Sequence, residues 1–314
     1  MNEALRLLRR ALRRAGYDLK PRRAYDLAQL THIEALAQGP ALERVRALLD
    51  QADPGAGRTD RLRLHYRTCL RGDPNRPSGR VTGATAQNNV LTCLASTVAA
   101  VKLAAEARGA DGLEVVVYDD RSEPGALDAL RRVLSDLPCP WSIQPTVAPG
   151  AGPSLYQSLD AARGTDTLVY LCEDDFLHLP SAILEMWDFY REVHERTGAH
   201  LLLHPGDYPD RYKTHDPCYV LLGGARHWRT ISHTTHTFLT HGRVLEENWA
   251  LMDSTRYAGE KRGAESRNVN RLFDHLPGFS PLPSLACHLQ GEGTLPPYFD
   301  WQALWDRYGA ARED

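Results

Sequence analysis

From residue 62 onward, short apolar runs alternate with amphipathic stretches. The runs 62–68, 113–118, 141–146, 167–172 and 200–203 have the length of buried strands. Helical spacing covers about 86–108, 124–136, 154–163 and 181–196 between them. Strands alternating with helices predict βαβ units. The expected fold class is therefore α/β, an open, mostly parallel sheet flanked by helices.

After residue 203 the rhythm breaks. The segments Cys218–Leu222 and Ala225–Ile231 flank Gly223-Gly224, which predicts a hairpin with a two-residue turn and positive φ at both glycines. Helical stretches near 243–252 and 264–275 and a strand near 284–289 complete the pattern.

Upstream of residue 61 the pattern is helical only. Leu5, Leu8, Leu12 and Ala15 repeat at helical spacing, and further helices are predicted over 24–37 and 41–49. Residues 51–60 are rich in Gly, Pro and Asp and read as a linker. The division expected is a helical N-terminal extension, 1–60, and an α/β domain, 61–314.

Composition changes this picture little. The chain has 314 residues, is 42% hydrophobic and 25% charged, and carries a net charge of −3, so wholesale disorder and a nucleic-acid coat are both excluded. No run of about 18 purely apolar residues is present. Of the 37 basic residues only Lys20, Lys102, Lys213 and Lys261 are lysine, an imbalance that fits GC-rich codon usage. Residues 1–23 hold eight basic and two acidic side chains. Such a helix can lie on an anionic membrane, or dock through its leucines onto the main domain. The six cysteines form no C-x-x-C pair. Reduced thiols and a cytoplasmic location are the expectation, with peripheral membrane contact through residues 1–23 as the alternative to docking.

The chemistry gathers at strand ends, where an open parallel sheet binds its ligands. The run 113–118 ends in Asp119-Asp120-Arg121-Ser122, and 167–172 ends in Glu173-Asp174-Asp175. Three adjacent carboxylates repel one another unless a cation sits among them. Oxygen-rich donors of this kind suit Mg²⁺ or Mn²⁺ carrying a diphosphate. Between the two clusters, the glycines of 148–155 open a helix with Ser154 as the expected N-cap, where backbone N–H groups can meet an anion.

This order of strand, Asp119-Asp120, glycine loop, helix, strand and Glu173-Asp174-Asp175 resembles the nucleotide-sugar-dependent glycosyltransferases of the GT-A fold, particularly family-2-like bacterial enzymes. The resemblance covers roughly 62–290. It implies a nucleoside contact, usually to uridine, at Asp119 or Asp120, and it makes Glu173-Asp174-Asp175 the family's D-x-D motif. Glu173 and Asp174 then face ribose or metal, and Asp175 ligates the metal. Tyr66 and Arg67, at the end of the first strand, stand where the family contacts its nucleotide, although the usual asparagine is missing. His288 matches a late histidine that completes the metal's coordination in many such enzymes. The expected activity is transfer of a sugar from a nucleotide-sugar donor, UDP-linked by resemblance, to a hydroxyl acceptor of unspecified class, with Mn²⁺ or Mg²⁺ as cofactor. An inverting enzyme of this kind needs a base opening a late helix. Glu265 is the match, with Glu260 second, and a retaining enzyme needs no such base.

Other readings stay open. The stretch Arg71–Arg80 follows the first strand and carries glycines and arginines, as a nucleotidyltransferase loop would. A non-catalytic scaffold binding a membrane or partner through residues 1–23 is another. His233, His236 and His241 raise a zinc site, without a fourth ligand or a closed-site spacing. The segment 228–237, which begins at Trp228 and holds the first two of them, reads rather as the acceptor side of a sugar-binding cleft or, equally, as an ordinary hydrogen-bonded hairpin, and 204–210 is expected to form a loop over the same cleft.

Overall fold

The computed structural model describes residues 8, 11, 12, 14, 15, 57–73, 75–213, 218, 220–257, 264–274 and 276–310. The expected helices at 24–37 and 41–49, the membrane contact of residues 1–23 as a whole, and Glu260 lie outside them.

Strand β1 (Leu62–Thr68) is flanked in parallel by β2 (Leu113–Asp119) and β4 (Leu168–Glu173). Strand β3 (Trp141–Pro145) continues the parallel half beyond β2. On the other side of β4 the sheet turns mixed. It runs through β9 (Phe238–His241), β6 (Leu202–Leu203), β10 (Gly278–Leu282), β8 (His227–Thr230) and β7 (Val220–Leu222). The α/β class and the parallel sheet around the strand ends are as the apolar runs imply, while the late segments add antiparallel strands.

Helices cover both faces. α1 (Ala86–Arg108), α2 (Pro124–Leu134) and α4 (Ala182–Thr197) share a core with Leu62, Leu64, Tyr66, Val115 and Tyr170. The opposite face buries Val169, Leu171 and Phe238 against α3 (Ala151–Asp160), α6 (Gly242–Glu247) and α8 (Val269–Leu272), with Leu155, Leu159, Val244, Leu245 and Leu272. The period of two along each strand sends alternate residues to these two cores.

α1 is the element the composition undersold. It is 23 residues long and apolar enough to cross a membrane by length and composition, yet 67% of that stretch is buried in the protein. Asn89, Ser96 and Thr97 lie on it and are buried too, which marks a core helix. Thr85 starts it, its hydroxyl accepting the Asn88 N–H at 3.2 Å.

A small two-stranded ribbon sits outside the main sheet. β5 (Phe176–His178) pairs antiparallel with β11 (Ala286–His288), with Phe176 opposite His288. The ribbon is pinned to α1, where Ser96 Oγ accepts the His178 N–H at 3.0 Å. It is also covered by α9 (Trp301–Ala310) through Leu177, Cys287, Leu304 and Tyr308.

Three local expectations are corrected. The β7–β8 hairpin exists, but Gly223 and Gly224 do not take positive φ. The loop closes by the Gly223 N–H donating to Arg226 O at 3.0 Å. Gly223 is required for a different reason, since a Cβ there would meet the Trp228 indole at 2.7 Å. Gly150, at φ 109°, caps α3, and Ser154 lies inside the helix, buried. The helix expected over 264–275 is a short 3-10 turn (Glu265–Arg267) followed by α8.

Candidate active site

The register of the parallel half brings the strand ends together. Thr68 is level with Asp119, and Arg67 with Glu173. Just beyond them a cavity of about 300 Å³ opens, walled by Arg67, Arg71, Arg80, Asp120, Glu173 and Asp175.

On the β2 side the two aspartates divide their work. Asp119 Oδ2 accepts the Ser122 N–H at 2.9 Å, and Ser122 Oγ accepts the Leu70 N–H at 2.8 Å. This turn holds Arg121 in a left-handed conformation, φ 60°, a sparsely populated state for a side chain of this kind. Asp120 reaches across to the glycine loop. Its Oδ2 accepts the Gly150 N–H at 2.8 Å, and its Oδ1 accepts the Thr146 hydroxyl at 3.3 Å. Asp120 is thus fixed at the N-terminus of α3, where a carboxylate is electrostatically favoured.

The three consecutive acids after β4 splay to three separate partners. Glu173 is bound by Arg67 at 2.8 Å and by the Thr237 hydroxyl at 3.2 Å. Asp174 turns back to β1, accepting the Thr68 hydroxyl at 2.9 Å and the Cys69 N–H at 3.2 Å. Asp175 meets Arg80 at 2.7 Å and His288 Nε2 at 3.2 Å, both through Oδ2. Its Oδ1 is buried and has no partner. Separation on alternate sides of the strand end relieves the repulsion that the bare sequence implies.

Their proton affinities follow from these surroundings. Burial, then the nearby charge of Asp175, pushes Asp174 up to about 6, against the pull of its two hydrogen bonds. Burial acts on Asp175 in the same direction, but the His288 hydrogen bond and the His288 and Arg80 charges outweigh it, and Asp175 ends below the usual carboxylate range.

His288 is held by its neighbours. Its ring stacks on Phe176 at 4.5 Å between centroids, and Tyr208 Oη lies 3.3 Å from Nδ1. The expected loop 204–210 is therefore in contact with this site through Tyr208. Nε2–H donates to Asp175 Oδ2 here; in the other tautomer, with Nδ1–H donating to the Tyr208 hydroxyl, Nε2 would offer a lone pair to a cation. In that tautomer Asp175 and His288 would hold a divalent ion of the Mn²⁺ kind through carboxylate oxygen and imidazole nitrogen. Among the described residues no group of three or more His, Cys, Asp or Glu forms a complete metal cage. A bound diphosphate would have to supply the remaining oxygens.

Two sequence candidates sit elsewhere. Tyr66 is fully buried among core residues and does not wall the cavity, because it shares the core-facing side of β1 with Leu62 and Leu64. Trp228 is likewise buried, stacked on Phe189 at 4.2 Å, so its faces are closed to a sugar ring. The three histidines 233, 236 and 241 are dispersed. His233 pairs with Asp210 at 3.1 Å. His241 lies at the far end of β9, level with Leu168. His236 alone faces the acids.

His236 forms a second focus of chemistry. Its Nε2 is 3.1 Å from Asn268 Oδ1, which also accepts the Val269 N–H, so the ring donates here. Its Nδ1 is then an acceptor, 3.6 Å from Glu265 Oε1. Burial lowers the His236 pKa, with Glu173 opposing and Arg67 reinforcing the shift. A buried imidazole nitrogen thus faces a half-exposed carboxyl group. Glu173 and Arg67 stand near enough to this pair to influence its charge.

Residue patterns alone did not single out Arg71, Thr68 or Thr237 as parts of the site. Arg71 is 3.4 Å from Asp120, and Arg80 is the cation on Asp175. Their only sequence signal is membership in the arginine-bearing loop after β1.

No family model matches the chain, and no curated protein matches it. Several solved structures are similar at low identity. S. aureus TarS 1–349 is 13% identical over 70% of this chain and 60% of that one, with a TM-score of 0.41. UDP-glucose pyrophosphorylase complexed with UDP-glucose is 9% identical over 81% of this chain and 98% of that one, TM-score 0.42. The mannosyltransferase PcManGT from Pyrobaculum calidifontis, in complex with GDP-Man and Mn²⁺, is 13% identical over 92% of this chain and 74% of that one, TM-score 0.40. The chain spans only 36% of the longer S. aureus TarS structure. At this degree of likeness, function has to be argued from the residues themselves.

Proposed function

We propose that the strand-end cavity takes a nucleotide sugar and that the chain is a divalent-ion-dependent glycosyltransferase, with a uridine diphosphate sugar as donor and a hydroxyl group as acceptor. The observation that carries this reading is Asp175. Its Oδ1 is buried without a partner, its Oδ2 meets His288 Nε2, and it walls a cavity together with an Asp120 fixed by backbone and hydroxyl donors. Asp175 with His288 offers a seat for a cation, and Asp120 one for a nucleoside. An ion held by Asp175 and His288 would neutralise the charge on a departing diphosphate.

The chain's own residues do the rest. Asp120 and Arg71 bound the nucleoside side, and Arg67, drawn onto Glu173, shapes the floor. Glu265 and His236 Nδ1 form a pair of proton acceptors that can receive a hydroxyl proton as its oxygen attacks. Glu265 opens the 3-10 turn before α8, which gives this pair the place of a base in an inverting reaction.

A second reading has its own support. Arg71 and Arg80 reach from the loop after β1 onto Asp120 and Asp175, where they would grip a triphosphate in nucleotidyl transfer. Thermal shift with UDP-, GDP- and ADP-sugars, with and without Mn²⁺, followed by product analysis, separates the two. The expected result is a donor-selective, Mn²⁺-dependent rise in melting temperature that Asp175→Asn abolishes, with nucleoside diphosphate as the product of turnover. Pyrophosphate release from a nucleoside triphosphate would move the assignment to nucleotidyl transfer. No shift with any donor would remove both.

A further inference from the structure

Asp175 already has a cation on it. The Arg80 guanidinium lies 2.7 Å from Asp175 Oδ2, and His288 Nε2 approaches the same oxygen at 3.2 Å. The Asp175 side chain is 6% exposed, and its second oxygen is buried and unpartnered. Arg80 is less enclosed, 30% exposed, and comes from the loop between β1 and α1. The neighbouring pairs repeat the pattern. Arg71 sits on Asp120 and Arg67 on Glu173, so three arginines line the same cavity, each on an acid of the site. A buried carboxylate without a counter-charge is costly, so some cation has to accompany Asp175 in the free protein.

We propose that Arg80 is an internal counter-cation that occupies Asp175 until a diphosphate arrives, and then transfers to the diphosphate oxygens while a divalent ion takes its place on Asp175. The exchange leaves no charge alone at any stage. The guanidinium leaves one anion for another that it can grip with two parallel N–H groups, and the ion inherits the carboxylate. Metal and diphosphate thereby bind as a coupled pair, each favouring the other beyond their direct contact, and the metal alone is held back by Arg80. This rests on the proposal that the cavity takes a nucleoside diphosphate, and it does not depend on whether sugar or nucleotidyl transfer follows.

Opposite effects of one substitution on two ligands test it. On the full chain, Mn²⁺ alone is titrated by electron paramagnetic resonance. UDP, GDP and inorganic pyrophosphate are titrated calorimetrically at saturating Mn²⁺. Arg80→Gln should bind Mn²⁺ at least about fivefold more tightly than wild type, and the diphosphates at least about fivefold more weakly, the low end of couplings between linked sites. Arg80→Lys, which keeps the charge, should stay close to wild type for Mn²⁺ and confirm that the loop tolerates replacement. In Asp175→Asn the gain in Mn²⁺ affinity from Arg80→Gln should vanish. Unchanged Mn²⁺ affinity in Arg80→Gln, a fall for both ligands, or no diphosphate binding by wild type at saturating Mn²⁺ overturns the proposal. If the exchange holds and no sugar is transferred from any donor, the glycosyltransferase reading falls and the role of Arg80 stands. If sugar is transferred and Mn²⁺ binding does not tighten, the reverse is concluded.

Discussion

His236 and Glu265 show how much a single proton's place decides. Asn268 Oδ1 accepts a hydrogen bond from Nε2–H, so the ring turns Nδ1 toward a carboxyl group 3.6 Å away. Two acceptors in that position suit a hydroxyl group beside them within reach of both, which is what an attacking acceptor would offer. Water can stand in for the acceptor, so donor hydrolysis is a usable readout before the acceptor is known. Glu265→Gln is expected to lower the kcat of UDP-sugar hydrolysis by about a hundredfold, the lower bound for loss of a positioned base. Donor binding measured by calorimetry should be unchanged. An equal loss of affinity would place Glu265 in donor binding instead.

At the level of elements, tight joints fix how strands meet helices. Gly242 begins α6 directly after β9, and its N–H donates to Thr167 O at 3.0 Å. A Cβ at this position would press on the Thr165 hydroxyl and on the Thr165 and Ala162 carbonyls. Backbone cannot give way as a flexible side chain can. Gly242→Ala is therefore expected to lower stability by roughly 1–3 kcal/mol, the usual cost of overpacking. Urea unfolding with an unchanged m-value would show it, and a change within about 0.5 kcal/mol, typical of neutral surface sites, would contradict the packing. The β5–β11 ribbon is the other decisive joint, since it alone brings His288 level with Phe176 and onto Asp175.

Across the whole molecule, buried titratable groups set the response to acid. Burial pushes His65, His178 and His241 each down to about 4. They stay neutral in the fold while the unfolded chain takes up their protons below about 6.5. Their contribution is present above that pH and is lost as pH falls toward 4. Asp174 has the opposite sign. At about 6 in the fold, against about 3.9 unfolded, it costs stability as pH rises through that window. Burial lowers His204 and His236 as well, so the histidines outweigh Asp174 and favour loss of stability in acid, and the lowered pKa of Asp175 adds to it. Calorimetry should find a melting temperature clearly lower at pH 4.5 than at pH 7.5, and an equal value would refute this balance. Asp174→Asn keeps both hydrogen-bond acceptances and should stabilise by roughly 2 kcal/mol at pH 7.5, with a smaller gain at pH 4.5.

Much of the fold and part of the site is legible along the chain because the signals are local. Apolar runs and their period mark β1, β2, β3 and β4, and the acids that follow two of them mark where a ligand meets the sheet. The same alternation, followed one step further, puts Tyr66 with Leu62 and Leu64 on the core side and frees only Arg67. What the sequence does not contain is partnership. Glu173, Asp174 and Asp175 are neighbours in the chain, and nothing in that spacing says that they turn to Arg67, Thr68 and Arg80. Nor does it say that His236 meets Glu265 while His241 sits at the other end of β9. Those choices depend on strand register, on the direction of each side chain and on contacts between residues far apart in the chain. Local pattern thus determined which residues carry charge at the strand ends, and tertiary packing alone decided which charge answers which.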